Sequence, residues 1–372
     1  MSASENTAQL PLEGESFEVR RFIKVLVIVV SYRTASLVVQ CLRSLFSEQI
    51  SGLDEGVHIS VSVIDNASGD ATQIREFVAQ ESATSWIDVI EADRNGGFAY
   101  GNNLGMRRAF ESNNVPDYFL LLNPDTEVRK GAIIELVRFL EQHPFVGIAG
   151  SSFETDDGIP WPYTFRFPSI LSELDSGMGL GIVSALLNNW VVARKMTDSP
   201  EAVDWMPGAS MMLRHQLIEA VGGMDESFFL YYEETDYCRK VWNAGWAIWY
   251  VPASRVMHAA GGSTGVTTPR EHPRRLPSYW FVSRRRFFAK NYGWSYAAVT
   301  DIVFVGASLL GSLKLLIQGR SDRRVPYLIR DVIRHSVILP KNRRIEPSVE
   351  YRPHRAVSPD TISGLSSECA DA

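Results

Sequence analysis

Lys24 to Ser31 reads KVLVIVVS, a continuous apolar run rich in β-branched residues. Such a run fits a strand covered on both faces, as in the middle of a parallel sheet. Thr34 to Glu48 follows with Leu37, Val38, Cys41, Leu42 and Leu45 on one helical stripe. The alternation then repeats. Strands are expected at His58–Ile64, Ile87–Glu91 and Asp117–Leu122, and helices at Ala71–Gln80, Gly101–Ser112 and Lys130–His143. Strands separated by helices of this length imply right-handed βαβ units and an open, mostly parallel α/β sheet. Ligands of such sheets bind beyond the carboxyl ends of the strands. The polar residues expected there are Ser31-Tyr32, Asp65-Asn66-Ala67-Ser68, Asp93 to Asn103, and Asn123-Pro124-Asp125-Thr126.

No GxGxxG opens a helix after any of these strands, and no P-loop is present, which removes the main support for a dinucleotide-dependent dehydrogenase or a P-loop enzyme. The chain has 372 residues, is 45% hydrophobic and carries a formal charge of −6, so most of it is expected to fold. That charge is an average of unlike parts. From 270 to 344 there are 16 Lys and Arg against 4 Asp and Glu, which leaves −18 for the remainder. Cys41, Cys238 and Cys369 have no metal-ligand spacing and are too few for a disulfide framework, pointing to a reducing compartment. The polar, acidic residues 1–22 lack the basic start and apolar centre of a secretory signal and are expected to be a disordered lead-in.

Several residues admit two readings. Asp65 in DNAS is either a turn or cap carboxylate, or an acceptor for a nucleotide base or ribose. RNGGFAYGNN, Arg94 to Asn103, is either a plain Gly-rich loop or one that lets backbone and a cation approach a nucleotide. Asp125 in LLNPDT is either a turn aspartate after Pro124, or a ligand for a hard divalent ion that neutralises a diphosphate leaving group. Glu233, Glu234 and Asp236 are either helix-start partners of the macrodipole, or crowded carboxylates of which one works as a general base. His258 is either structural or a ligand, and Trp205, ahead of Pro207 and Gly208, is either core or a stacking surface for a sugar.

In order along the chain, VVSY, VIDNASGD, RNGGFAYGNN, LLNPDT, WMPGASMMLR, VGGMDESFFLYYEETDYCRK and HAAGG resemble family-2 inverting glycosyltransferases of the GT-A fold, most closely the rhamnosyltransferase-like branch. The resemblance covers Lys24 to Gly293. It implies transfer of one sugar from a nucleotide-diphosphate donor, with inversion. It places Ser31, Tyr32, Asp65, Asn66, Arg94, Gly97, Asn102 and Asn123 against the donor nucleotide, and Asp125 with His258 at a Mg²⁺ or Mn²⁺ ion. Asn123 stands at the first position of the family's D-x-D metal motif, so one carboxylate remains there. Glu234 stands where the family's catalytic Asp is usual and is the expected base, with Glu233 and Asp236 as fallbacks. Trp205 and Gly208 are expected at the acceptor or sugar. The donor implied is dTDP-rhamnose and the acceptor a lipid-linked or polysaccharide glycan. The alternatives are a UDP-hexose donor, or a catalytically silent scaffold.

Tyr296 to Ile317 has the length of a membrane span but contains Asp301 and Lys314, so a surface-lying helix is expected, with Arg284-Arg285-Arg286 and Arg320, Arg323 and Arg324 meeting anionic headgroups. The other reading is a helix packed on its own domain or on a partner subunit, a homodimer included. The chain thus divides into a lead-in (1–22), a glycosyltransferase domain (23–270), a basic and apolar helical extension (271–345) and a flexible tail (346–372). The location expected is peripheral, on the cytoplasmic face of the inner or plasma membrane, with no nucleic-acid partner.

Overall fold

The computed structural model describes residues 22–112, 114–161, 164–259, 273–320 and 324–353. The lead-in up to 21, the glycines after His258, Arg323, Cys369 and the tail from 354 lie outside the described residues.

β1 (Ile23–Ser31), α1 (Ala35–Asp54), β2 (Val57–Asp65), α2 (Ala71–Gln80), β3 (Ile87–Glu91), α3 (Gly97–Glu111) and β4 (Tyr118–Leu122) alternate as expected. β5 (Thr126–Val128), α4 (Ala132–Gln142) and β6 (Val146–Glu154) follow. α1 runs six residues beyond the expected Glu48, and Glu48 is buried because its carboxylate accepts from Gly131 N and Ile133 N at the start of α4. The irregular stretch then holds β7 (Thr164–Phe165), α5 (Ile170–Met178), α6 (Gly181–Leu186), β8 (Ala193–Arg194) and β9 (Glu201–Ala202). β10 (Ser210–Arg214), α7 (His215–Val221), α8 (Glu233–Asn243) and β11 (Ala247–His258) complete the sheet. α9 (Ser278–Tyr292), α10 (Trp294–Ile317) and α11 (Leu328–His335) form the extension.

The main sheet runs β3-β2-β1-β4-β10-β6-β11-β5. β3, β2, β1 and β4 are mutually parallel, as are β6 and β11, while β10 is antiparallel to both of its neighbours. Ser31 is level with Asp65, and Asp65 with Glu91, so these strands finish on one edge. β10 starts from that edge, with Ser210 opposite Leu122, which brings the preceding WMPG turn beside Asn123. β11 is one bent strand, with a register break between Val251 and Arg255. Beyond the break it pairs with β5, His258 opposite Thr126. Apolar clusters cover both faces: α1, α2 and α4 pack on one, α3, α7 and α8 on the other.

Two expectations for the C-terminal part are corrected. Arg284 and Arg286 are buried and do not meet solvent. Arg284 binds Glu173 Oε2 at 2.7 Å and Asp301 Oδ1 at 2.6 Å, and Arg286 binds Asp225 Oδ2 at 2.8 Å. Asp301, which interrupts the apolar run, is thus the internal partner of Arg284. The second correction concerns residues 346–353, expected in a flexible tail. They lie across the domain: Gly223 N donates to Tyr351 O, Val349 N to Asp225 Oδ1, and Glu350 pairs with Lys240 and Lys290. Three buried or half-buried cations facing three carboxylates give this segment a fixed seat that its polar composition does not announce.

Candidate active site

A cavity of about 760 Å³ opens at the strand edge. Asn66 follows β2, Gly97 and Phe98 open α3, Asn123 to Asp125 follow β4, and Trp205 to Ala209 precede β10. Glu233 and Glu234 enter from the start of α8, His258 from the end of β11 and Tyr279 from α9. Of the residues expected from sequence, Tyr32, Asn66, Gly97, Asn123, Asp125, Trp205, Gly208, Glu233, Glu234 and His258 line it together.

Asp125 is buried, with Oδ1 3.5 Å from His258 Nε2. β4 ends at Leu122, a tight turn follows, and β5 then leads away beside β11, so the pairing of Thr126 with His258 sets the imidazole next to the carboxylate. Among the described residues no group of three His, Cys, Asp or Glu is arranged for a metal. One carboxylate, one imidazole and the neighbouring Asn123 amide suit a Mg²⁺ or Mn²⁺ ion that takes its remaining oxygens from a diphosphate and water.

The two glutamates sit opposite in chemistry. Glu233 and Glu234 each hold an Oε2 that is buried without a hydrogen-bond partner. Burial pushes Glu234 up to about 7. Burial, and then the charge of Glu234, raises Glu233 well above the usual carboxylate range. The α8 N-terminus would favour the ionised forms, but desolvation in an aromatic setting outweighs it. Tyr231 and Tyr232, just before them, both have positive φ, 69° and 66°, an arrangement that costs about 1–3 kcal/mol per residue and is held by packing. Tyr231 stacks on Tyr279 and Tyr232 packs on Trp280 and Phe287, all from α9.

Asp236 does not face the cavity. Its carboxylate binds Lys290 Nζ at 2.6 Å and Asn291 Nδ2 at 2.8 Å, so this fallback base instead ties α8 to α9. Four expected donor contacts are likewise occupied elsewhere. Asp65 accepts from Ser68 N, Ser68 Oγ, Gly69 N and Ala71 N, closing the turn into α2. Ser31 Oγ is 3.0 Å from Thr34 Oγ1. Asn102 is buried inside α3 and donates to Phe98 O. Arg94 lies exposed over the Tyr100 ring at 4.2 Å, between Asp93 and Glu226. None of these four lines the cavity.

Gly97 has φ +84°, and a Cβ there would sit 1.7 Å from Phe229 O, so only glycine lets the α8 approach loop close over α3. At Gly208 a Cβ would meet the Phe98 ring at 2.7 Å. Trp205 is both platform and packing: its ring stacks on Phe165 at 4.4 Å, its Nε1 donates to Arg166 O, and it still borders the cavity. Sequence reasoning missed Trp161, Phe165 and Tyr279. The first two sit in a stretch without periodicity; the third belongs to the extension, whose basic composition drew the reading outward.

A mostly parallel sheet with a polar, carboxylate-bearing edge and an antiparallel insertion fits the GT-A fold that the sequence resemblance implies. Residues 23–293 match the family described as Glycosyltransferase like family 2, and the chain belongs to that family of enzymes. It is 29% identical over 221 residues to the N-acetylglucosaminyl-diphospho-decaprenol L-rhamnosyltransferase of Mycobacterium tuberculosis, covering 56% of this chain and 67% of the relative. Over 304 residues it is 26% identical to the low-salt glycan biosynthesis hexosyltransferase Agl10 of Haloferax volcanii, covering 81% and 86%. Rhamnosyltransferase WbbL of Escherichia coli K12 is 27% identical over 166 residues, covering 44% and 61%. In fold it is similar to the crystal structure of GalNAc-T7 with UDP, GalNAc and Mn²⁺, with a TM-score of 0.50 and 16% identity. That likeness covers 80% of this chain and 57% of the other.

Proposed function

We propose that this enzyme moves rhamnose from dTDP-rhamnose, with inversion, to a lipid-linked glycan in cell-surface glycan synthesis. The observation that carries the reading is one cavity uniting the Asp125–His258 pair with the Glu234 carboxylate, whose Oε2 has no hydrogen-bond partner. An acceptor hydroxyl is a weak nucleophile at neutral pH. Glu234 takes its proton as the oxygen bonds to the anomeric carbon, and the carbon–oxygen bond to the diphosphate breaks with its electron pair on the diphosphate. Attack on the face opposite the leaving group inverts the centre. Asp125, His258 and Asn123 would hold Mg²⁺ or Mn²⁺, which supplies charge neutralisation for the leaving diphosphate. Trp205, backed by Phe165, presents an apolar face to a sugar ring.

The rhamnosyl donor is supported by the names of two relatives, and a diphospho-lipid acceptor by the mycobacterial one. The extended match to the archaeal hexosyltransferase supports a second reading with another hexosyl donor, for which we take a UDP-hexose. Such an acceptor places the enzyme peripherally on the cytoplasmic membrane face. The test is transfer to an N-acetylglucosaminyl-diphospho-lipid from a panel of nucleotide sugars, with and without Mn²⁺. The reading predicts product with dTDP-rhamnose and a Mn²⁺-dependent thermal stabilisation by dTDP that Asp125→Asn removes. Turnover with a UDP-hexose alone would replace the rhamnosyl reading by the second one.

A further inference from the structure

α10 has two unlike faces. Inward, Asp301 is locked to Arg284, which also binds Glu173, and α5 lies against the helix so closely that a Cβ at Gly177 would be 2.8 Å from Ala307 Cβ and one at Gly311 2.7 Å from Met178 O. Outward, Val299, Ile302, Leu309, Leu313, Leu316 and Ile317 are each between 44% and 77% exposed. Their spacing of three, four and seven residues places them on one stripe. From Val299 to Ile317 the stripe runs about 27 Å. α6 begins three residues after the α5 end seated on Gly311, and it adds Ile182 and Leu186, 72% and 77% exposed. A surface of this kind is a docking face.

The charges bordering it select the occupant. From 314 to 344, every exposed charged side chain among the described residues is a Lys or Arg, beginning with Lys314 and Arg320 at the end of the stripe. The one described acid in that interval, Asp331, is buried against Arg275. A twofold contact between copies would bring these cations together, whereas anionic headgroups would neutralise them. Half-exposed Trp190 and Trp294 supply the amphipathic rings favoured at a membrane interface. Eight of the 24 residues of the helix are buried against the protein, Asp301 of the ion triad among them, so we take the helix to lie in the interface and not to cross it.

We infer that the outward stripe of α10, continued by α6 and bordered by the 314–344 cations, is the face by which this enzyme lies on an anionic lipid bilayer. The Arg284–Arg286 triplet is not that contact, since two of its members are internal. The inference rests on the membrane-bound acceptor reading above for its biological sense, and its test separates the two. Full-length enzyme is sedimented with vesicles of mixed phosphatidylglycerol and phosphatidylcholine, and with phosphatidylcholine alone. Wild type is expected to bind the anionic vesicles preferentially. Leu313→Glu/Leu316→Glu is expected to bind them at least about tenfold more weakly, as is the milder Leu309→Asn/Leu313→Asn, while transfer to a water-soluble acceptor analogue is unchanged. Undiminished binding by both variants would overturn the face. A wild-type enzyme that binds no vesicle would overturn the membrane reading itself. A wild-type dimer that the variants convert to monomer would put a second copy on the stripe and overturn the inference.

Discussion

Glu234 is held where ionisation is unfavourable, and the chemistry proposed for it needs the ionised form. Its carboxyl is raised from 4.5 to about 7 by burial. A carboxyl raised on folding gives stability that is whole below the unfolded value and is lost as pH climbs through the folded one. Below 4.5 both states are protonated and the site costs nothing; above about 7 the folded state carries a buried charge. Glu234→Gln is therefore expected to match wild type in acid and to exceed it by a few kcal/mol in urea unfolding above pH 7. Equal stabilities throughout would mean the side chain is well solvated. The same shift predicts that kcat/KM rises with pH through about 7, toward the ionised base. The motif residues divide here. That Asp125, Glu233 and Glu234 reach one cavity was legible in sequence, because carboxylates at the end of an apolar strand or after an aromatic run have few inexpensive partners. That Asp65 and Asn102 do not line it was not legible, because the loop amides that saturate one and the helix that buries the other exist only once the backbone is folded.

Among the elements, β1 and β4 declared themselves by apolar runs and β2 by alternation, and β1, β2, β3 and β4 lie where the sequence pattern put them. β5 is three residues long and β7, β8 and β9 two each, too short for any period, though β5 sets His258 beside Asp125. The extension was the harder case. A charge inside an apolar helix reads as an obstacle to burial, and Asp301 becomes favourable only through Arg284, 17 residues away, which also binds Glu173. Removing one member of a buried ion group leaves the others unpaired, at a typical cost of about 3–5 kcal/mol. Arg284→Ala is expected to lose stability on that order in urea unfolding. A loss no larger than that of a surface arginine would show that the triad is solvated.

Taken whole, the molecule joins an acidic catalytic body to a basic end, and the join is itself part of the site. α9 supplies Tyr279 to the cavity, and through Tyr231, Lys290 and Asn291 it holds the first turn of α8, where the base sits. The strap of residues 346–353 closes the same corner from outside by Glu350 on Lys240 and Lys290. A boundary drawn at 270 from charge alone therefore cuts through one cooperative unit, consistent with the family match running on to 293. The most direct test compares single-turnover rate and donor Kd for wild type, Glu234→Gln and Glu233→Gln. With Glu234 as the base, Glu234→Gln loses about 10²–10⁴-fold in rate, donor Kd stays near wild type, and Glu233→Gln loses far less. Wild-type turnover by Glu234→Gln would contradict the account.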